Sequence, residues 1–267
     1  MDLRSKVIWI TGASSGIGRE LAIQLSLRGA KLILTARREE QLEETRQLCV
    51  NSEQHQLLSC DLNDYHQAAE WAERAIALHG HIDILVNNAG VSQRGGVVDT
   101  PIEVDEALIR LDYLSLVALS KAVMPHFIQR ESGYYVNISS VAGKLGAPMR
   151  TSYSGAKHAV VGFSDSLRFE LFPYNIKVTV ICPGYVQTPI AASALNEKNE
   201  AAKMHDPDIE NGMPVSTAVR KIIRAMETQK NEVLVASGMP WLGYHLRRLL
   251  PNSFPTLMTK MVKPKKQ

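Results

Sequence analysis

The sequence predicts an α/β fold, a single doubly wound parallel sheet of about seven strands with helices on both faces. Short apolar runs alternate along the chain with segments of helical apolar spacing, which is typical of right-handed strand–helix–strand units. Each short run is almost wholly apolar, as expected for strands that are buried on both faces. A glycine-rich turn joins the first apolar run to the first helical segment.

The strands are assigned to apolar runs that end in polar residues or glycine. They cover residues 7–10, 32–34, 56–59, 82–86, 134–138, 177–181 and 233–235. Helices are assigned where apolar residues recur every three or four positions, as at Ile17, Leu21 and Leu25 before a stop at Gly29. They cover residues 16–27, 39–50, 65–78, 102–129 as two helices, 152–172 and 215–227.

Two regions break this alternation. Residues 184–215 form a long, largely polar connection, and segments of that length usually act as lids or binding loops. After residue 237 the alternation stops and a basic tail begins. We therefore predict one domain over residues 1–237, with a binding loop at 184–215, and a basic amphipathic extension over residues 238–267.

The composition is that of an ordinary globular protein, with 45% hydrophobic and 21% charged residues in a chain of 267. Cys49, Cys60 and Cys182 are widely spaced, which fits a reducing compartment better than a disulfide framework or a zinc site. The histidines and acids show no metal-binding spacing. The chain begins without a signal-like apolar run and has no stretch of about 18 apolar residues, so we expect a cytoplasmic protein.

The net charge of +3 comes from the tail. Residues 238–267 contain six bases and no acid, which leaves 24 bases against 27 acids in residues 1–237. The main domain therefore has a net charge of −3, and nothing in its charge favours binding to nucleic acid.

The turn after the first strand reads TGASSGIG over residues 11–18. Its glycines permit a tight turn and let a phosphate approach the backbone, and the helix that follows offers unpaired N–H groups at its positive end. The spacing G-x-x-x-G-x-G differs from the usual G-x-G-x-x-G. The predicted dinucleotide contacts in this turn are Gly12, Ser14, Ser15, Gly16, Ile17 and Gly18.

A tyrosine and a lysine four residues apart, Tyr153 and Lys157, lie on one face of a predicted helix. A lysine ammonium close to a phenol favours the phenolate, which suits general acid–base catalysis. The pair alone is weak evidence, because this spacing also occurs by chance on exposed helices. The competing hydrolase interpretation is poor, because Ser152 and Ser154 lack a G-x-S-x-G frame.

Several motifs in a fixed order resemble the short-chain dehydrogenase/reductase family over about residues 5–190. The sequences that carry the resemblance are TGASSGIG at 11–18, Asp61-Leu62, NNAG at 87–90, NISS at 137–140, the Tyr153–Lys157 pair, and Pro183-Gly184 with Thr188. Each lies at the carboxyl end of a predicted strand, where open α/β sheets bind their ligands. The resemblance implies a Rossmann-type fold and a catalytic domain over residues 1–237.

The resemblance also implies a set of cofactor contacts outside the glycine-rich turn. Asp61 is expected to accept a hydrogen bond from the adenine amino group, and Lys157 to bind the nicotinamide ribose. The remaining implied contacts are Leu62, Asn88, Ala89, Gly90, Tyr153, Pro183, Gly184, Val186 and Thr188.

The end of the second predicted strand indicates which dinucleotide is bound. Proteins of this fold that use NAD place an acid there to bind the ribose 2′-hydroxyl, but this chain has Ala36 followed by Arg37 and Arg38. Two guanidiniums would bind a 2′-phosphate through charge-assisted hydrogen bonds. We therefore predict NADP(H). The competing interpretation is that the arginines merely begin a charged surface helix.

The resemblance implies that Tyr153 exchanges a proton with the substrate oxygen, that Lys157 supports it, and that Ser140 binds the same oxygen. The reaction would be hydride transfer between nicotinamide and an alcohol or carbonyl carbon. Asp112 departs from the family, which usually has asparagine at this position. In the family that asparagine is thought to hold a water molecule that relays protons to the lysine. We expect an active enzyme with an altered pH profile; the alternative is a helix residue misaligned by one turn.

Two other functions stay open at this point: an NADP-binding protein of low turnover that acts through partners, and an isomerase or dehydratase of the same fold. The substrate contacts are expected from residues 141–150 and 184–215. These segments are mainly apolar near the reacting centre, which favours a hydrophobic alcohol or ketone.

The tail and the subunit contacts are further expectations. Apolar residues at helical spacing alternate with bases after residue 238. This pattern predicts either helices that cover the cleft or a neighbouring subunit, which we favour, or a surface helix in peripheral contact with a membrane. Family members commonly pair through the helices that flank the fifth strand, so a homodimer or homotetramer is expected through residues 114–127 and 160–169.

Overall fold

A parallel sheet is the centre of the structure, a computed structural model that describes residues 1–196, 199–201 and 205–261. Its strands are β1 (Val7–Thr11), β2 (Lys31–Thr35), β3 (Gln56–Leu57), β4 (Ile84–Asn87), β5 (Gly133–Ile138), β6 (Ile176–Pro183) and β7 (Glu232–Val235). They are hydrogen-bonded in the order β3-β2-β1-β4-β5-β6-β7, and every neighbouring pair is parallel. The predicted fold class is confirmed.

Helices connect these strands in succession. They are α1 (Gly16–Ser26), α2 (Glu39–Gln47), α3 (Ala68–His79), α4 (Ile102–Ile109), α5 (Ser115–Gln129), α6 (Thr151–Leu171), α7 (Pro207–Glu210), α8 (Val215–Thr228), α9 (Gly238–Leu249) and α10 (Ser253–Met261). A π-helical turn, Arg110–Leu114, joins α4 to α5. Short 3₁₀ segments lie at Ser52–Gln54, Leu62–Gln67, Val141–Gly143 and Phe172–Tyr174.

The alternation of side chains along each strand divides the core into two layers. In β1, Ile8 and Ile10 face the layer that contains α1 and α8, whereas Val7 and Trp9 face the layer that contains α3, α5 and α6. All four side chains are buried. Because helices cover both faces of the sheet, the central strands are largely apolar, and this is why they are recognisable in the sequence.

The strand order reverses at β1, which has β2 on one side and β4 on the other. The loops that leave the carboxyl ends of β1 and β4 therefore diverge and open a crevice. The motifs of the sequence analysis lie along this edge of the sheet.

Local geometry shifts several predicted boundaries. The third strand was predicted over 56–59 but pairs only at Gln56–Leu57. The helix predicted over 65–78 begins at Ala68, because Asp64 has non-helical dihedral angles within the preceding 3₁₀ segment. The helix predicted over 39–50 ends at Gln47, and the two helices predicted over 102–129 are separated by the π-helical turn.

The predicted binding loop contains the short helix α7, and residues 197–198 and 202–204 of that loop lie outside the described residues. The tail forms the helices α9 and α10. Val262 and the bases at 263–267 are likewise outside the described part of the chain. No helix in the described part is long and apolar enough to cross a bilayer.

Candidate active site

A cavity of about 480 Å³ follows the carboxyl ends of the central strands. It extends from the glycine-rich turn, past the ends of β2 and β4, to the start of α6 and the tail helices. Among the described residues, no group of three or more histidine, cysteine, aspartate or glutamate side chains is arranged to hold a metal ion.

The glycine-rich turn forms one end of the cavity, where Gly12, Ser14, Ser15, Gly16 and Ile17 line the wall. Gly12 has a φ of +66°, in the left-handed region. No side-chain hydrogen bond caps the start of α1. The first backbone N–H groups of this helix therefore stay available to an anion.

The turn is fastened to the NNAG motif behind it. The Asn88 side-chain amide donates to the carbonyl oxygens of Thr11, at 2.9 Å, and Gly12, at 3.3 Å. The Thr11 hydroxyl oxygen accepts hydrogen bonds from the backbone N–H groups of Asn88 and Ala89. These contacts fix the position of the turn relative to β4.

Gly18 is the one predicted contact that is not on the cavity wall. It is buried behind the turn, where a Cβ atom would lie 2.2 Å from the Gly12 carbonyl oxygen and 2.6 Å from the Asn88 amide nitrogen. Its role here is to let the helix approach the turn, so the expectation of a direct cofactor contact at Gly18 is not supported by its position.

The variant Gly18→Ala is expected to lower the free energy of unfolding by about 1–3 kcal/mol, because the added methyl group overlaps backbone that cannot move freely. Dinucleotide affinity, measured by titration, is expected to fall with it. Gly162→Ala in α6 is the matched control, since no atom lies within 4 Å of the added Cβ, and it is expected to be neutral or stabilising. Equal thermal stability of the two variants would contradict this account of the turn.

Arg37, Arg38, Asp61 and Leu62 line the far end of the cavity, together with Cys60. The Arg37 side chain is 62% exposed, and its Nη1 lies 4.0 Å from Asp61 Oδ2. Asp61 caps the following 3₁₀ segment by accepting a hydrogen bond from the Asn63 N–H. Burial raises the pKa of the Cys60 thiol to about 12, so this cysteine is uncharged at neutral pH.

Ser140, Tyr153 and Lys157 meet on the wall of the same cavity. The Ser140 hydroxyl oxygen accepts a hydrogen bond from the Ala142 N–H at 3.1 Å, and the hydroxyl donates to the Pro183 carbonyl at 3.4 Å. The Lys157 ammonium lies 5.7 Å from the centre of the Tyr153 ring. The neighbouring Ser139 donates to the Lys157 backbone carbonyl, which makes it a structural residue that fastens α6 to the end of β5.

The start of α6 is held by Gln93, a residue that the sequence analysis did not identify. Its side-chain oxygen accepts hydrogen bonds from the backbone N–H groups of Ser152, at 3.1 Å, and Tyr153, at 3.4 Å. The Tyr153 side chain is buried against Val104 and Leu108 of α4. Both contacts fix the direction in which the phenol points.

Asp112 lies in the π-helical turn and contacts Lys157 directly. Its Oδ2 is 3.2 Å from Lys157 Nζ, and the Asp112 side chain has no exposed surface. Its Oδ1 accepts a hydrogen bond from the Val91 N–H at 2.8 Å. Gly90 packs on the same carboxylate, where a Cβ atom would lie 3.0 Å from Oδ1. Asp112 thus lies beside Lys157, where the resemblance implied it, and its role in the mechanism stays a prediction.

The Asp112–Lys157 pair changes the titration of both groups. Burial raises the pKa of the Asp112 carboxyl above its usual value, against the opposing effects of Lys157 and the Val91 N–H. Burial by itself would lower the pKa of Lys157, but the negative charge of Asp112, the nearby Tyr153 and the contact with Asp112 together raise it above its ordinary value. Lys157 is thereby held as an ammonium.

The remaining predicted contacts, Asn88, Ala89, Gly90, Pro183, Gly184, Val186 and Thr188, also line the cavity. The structure thus brings every predicted site residue except Gly18 to one continuous surface. Their individual roles stay predictions.

The family model described as short chain dehydrogenase matches residues 6–201. The chain belongs to this family. It is therefore an oxidoreductase with a nucleotide-binding Rossmann-type fold.

Known proteins similar to this short-chain dehydrogenase cover nearly its whole length. A dehydrogenase/reductase SDR family protein 7-like from Anopheles gambiae is 38% identical over 264 residues, which are 97% of this chain and 83% of that protein. A short-chain dehydrogenase/reductase from Burkholderia phymatum, solved in complex with NAD, has a TM-score of 0.81 at 20% identity and covers 100% of both chains. One from Burkholderia cenocepacia, solved in complex with NADP, has a TM-score of 0.77 at 22% identity and covers 99% of this chain and 100% of that chain. These two structures share the fold.

An ion cluster joins three segments around the dehydrogenase cavity. Arg94 Nη1 and Arg150 Nη2 lie 3.1 Å and 2.7 Å from the same oxygen of Asp206, whose side chain is 5% exposed. Arg150, which lines the cavity, also donates to the Ser92 hydroxyl. The cluster ties the loop before α7 to the loops after β4 and before α6. The sequence gives no signal for it, because its members are up to 112 positions apart.

The tail helices form the outer wall of the cavity. Met239, Leu242, Leu246, Phe254 and Met258 line it. The helical stripe predicted in the tail was the signal for this contact, and the arrangement agrees with helices that cover the cleft. A hydrogen bond from the Tyr244 hydroxyl to Glu232, at 2.8 Å, fastens α9 to the edge strand β7. Glu232 also forms an ion pair with Lys144, at 2.5 Å, in the loop after β5.

Proposed function

We propose that this protein is an NADP(H)-dependent oxidoreductase that transfers hydride between nicotinamide and an alcohol or carbonyl carbon of a hydrophobic substrate. The observation that carries the proposal is the meeting of Ser140, Tyr153 and Lys157 in the cavity that begins at the glycine-rich turn. A proton-transfer group and a dinucleotide cradle in one cavity are the two parts that such a reaction requires.

The residues fit a dinucleotide. The uncapped start of α1 presents backbone N–H groups toward the cavity. A Cβ atom at Gly12 would lie 2.9 Å from the Ala89 backbone, so the turn can be this close to the NNAG motif only without a side chain. The glycine-rich turn would hold the pyrophosphate, and residues 37, 38, 61 and 62 the adenosine end. Bound there, the dinucleotide supplies the hydride.

The protein's own residues supply orientation and the proton. Ser140 presents a hydroxyl to the substrate oxygen, and Tyr153 gives a proton to that oxygen in reduction or takes it in oxidation. Lys157 is held beside the phenol by Asp112, at 3.2 Å, and by the Ile138 carbonyl, at 3.3 Å. The Lys157 ammonium lies 5.7 Å from the centre of the Tyr153 ring, so a positive charge stands beside the group that exchanges the proton.

The preference for NADP(H) is supported by Arg37 and Arg38. Both arginines line the cavity near Asp61, and the position of the usual acid is taken by Ala36. Because Arg37 is largely exposed and has only a distant contact with Asp61, its donors are available to a 2′-phosphate.

The double variant Ala36→Asp/Arg37→Ala is expected to shift the ratio of kcat/KM for NADPH over NADH by about tenfold or more toward NADH. Loss of Arg37 removes a charge-assisted hydrogen bond to the phosphate, and such a bond contributes about 1.5–3 kcal/mol. The new aspartate at position 36 adds a negative charge that repels the phosphate. The control is Arg74→Ala, which removes an arginine that is 53% exposed on α3. A double variant that still prefers NADPH as strongly as the parent would disprove the assignment.

Reduction of a panel of carbonyl compounds, followed by the absorbance of NADPH, tests the function as a whole. Turnover of hydrophobic ketones or aldehydes supports the proposal. Binding of NADPH without turnover on any member of the panel would favour a low-turnover binding protein. Conversion of substrate without a net change in NADPH would favour an isomerase or dehydratase of the same fold.

We further propose a cytoplasmic homodimer or homotetramer that pairs through α5 and α6. Phe169 at the end of α6 and Phe172 after it are about three quarters exposed, which supports an interface there. The wide spacing of Cys49, Cys60 and Cys182 in the sequence supports a reducing compartment. Sedimentation of the full chain tests the oligomeric state.

A further inference from the structure

The outer surface of the two tail helices is unusually apolar. Met239, Trp241 and Leu242 of α9, Leu249 and Leu250 at its end, and Leu257 of α10 are each at least 42% exposed, and Leu249 reaches 76%. We call these six residues the tail face. Exposed apolar groups of this size, concentrated in one short segment, mark an interaction surface.

The tail face is continuous with the substrate cavity. Met239, Leu242 and Leu257 line the cavity and are each at least 42% exposed. They therefore form its mouth, while Leu246 and Phe254 lie deeper on the wall. A molecule that reaches the reacting centre from this side passes only apolar side chains of the tail.

The charged residues of the tail are all basic in the sequence. Residues 238–267 include six bases and no acid, and the side chains of Arg248 and Lys260 are exposed. Trp241 packs on His245, with the ring centroids 4.3 Å apart, and stays half exposed. Exposed tryptophan and leucine flanked by bases is the pattern of a helix that lies in a membrane interface.

We propose that the tail face docks on an anionic lipid surface, so that a lipophilic substrate passes from the bilayer into the cavity mouth. A bilayer fits better than a protein partner, because a folded partner on the tail face would close the mouth, whereas fluid lipid leaves it open. The choice of a lipophilic substrate rests on the proposed function, but the docking itself does not depend on turnover.

Co-sedimentation of the full chain with vesicles of phosphatidylcholine, with and without about 30% phosphatidylserine, tests the docking. Binding to the anionic vesicles is expected, and it should weaken as salt is added. The variant Trp241→Ser/Leu249→Ser/Leu250→Ser, which spares the cavity wall, is expected to reduce the partition coefficient about tenfold or more. Arg248→Gln/Lys260→Gln should reduce it about fivefold for each base removed.

The matched control is Leu27→Ser/Leu48→Ser, which removes two exposed leucines outside the tail and should leave vesicle binding unchanged. The proposal is overturned if the parent does not bind anionic vesicles or if the triple variant binds as tightly as the parent. It is also overturned if the triple variant alone dissociates an oligomer, since the tail face would then be a contact between copies of the chain. Turnover of a small water-soluble carbonyl without vesicles is measured in parallel, so that failure of the proposed function is seen separately.

Discussion

Replacement of Tyr153 by phenylalanine is expected to lower kcat for carbonyl reduction by about 10²–10⁴-fold, the usual contribution of a positioned general acid. The ring keeps its packing against Val104 and Leu108, and the backbone keeps its contact with Gln93. Only the hydroxyl that exchanges the proton is lost. Steady-state kinetics with NADPH measure the effect, and the dissociation constant of NADPH, determined by fluorescence titration, should change by less than the rate.

The matched control is Tyr134→Phe. Tyr134 is a buried tyrosine of β5 whose hydroxyl lies 2.6 Å from that of Thr179, and burial raises its pKa to about 12. Loss of that hydroxyl should lower the free energy of unfolding by about 1 kcal/mol and leave kcat within a few-fold of the parent. If Tyr153→Phe kept a similar share of the parent activity, the acid–base role of Tyr153 would be rejected.

The variant Asp112→Asn is expected to move the alkaline limb of the pH–rate profile to lower pH by about one unit or more. The raised pKa of Lys157 depends on the negative charge at 3.2 Å. An opposite charge at this distance commonly raises the pKa of a lysine by about 1–3 units. When that charge is removed, only the effect of burial remains, and burial lowers the pKa of Lys157. Activity that needs the ammonium is complete below the pKa of Lys157 and is lost as the pH rises through it.

The test compares full pH profiles of kcat for the parent and Asp112→Asn with saturating NADPH. Asp83→Asn is the control, because Asp83 is a carboxylate of similar burial that pairs with Lys6 and Arg130 at the opposite end of the strands. Asp83→Asn should lower the free energy of unfolding and leave the alkaline limb of the pH–rate profile at the same pH as in the parent. Identical profiles for Asp112→Asn and the parent would remove Asp112 from the mechanism.

The fold was predictable because burial imposes a simple pattern on the strands. β1 and β4 are apolar on both faces over most of their length, so a run of apolar residues was sufficient to place them. The edge strand β3 was predicted too long, because only two of its residues pair with β2 and sequence alone does not show where pairing ends. The 3₁₀ entry to α3 was missed for a similar reason, since it depends on the dihedral angles of Asp64.

The site was predictable where contacts follow local spacing. Tyr153 and Lys157 are four residues apart on one helix, and the glycine-rich turn is a continuous segment. Asp112 and Lys157 are 45 positions apart in the chain. The family resemblance indicates that the two side chains are near each other, but the sequence does not contain the distance between them or the burial of Asp112. The Arg94–Asp206–Arg150 cluster had no signal at all, because three ordinary surface-type residues reveal a shared contact only after folding.

The Arg94–Asp206–Arg150 cluster also holds the start of α7 against the loops after β4 and before α6. Movement of α7 away from these loops would separate the Asp206 carboxylate, which is 5% exposed, from both guanidiniums. Hydration of the separated charges would offset part of the lost attraction. Ile209 of α7 lines the cavity, so this cluster gives that part of the cavity a fixed shape, while the tail helices form the wall on another side.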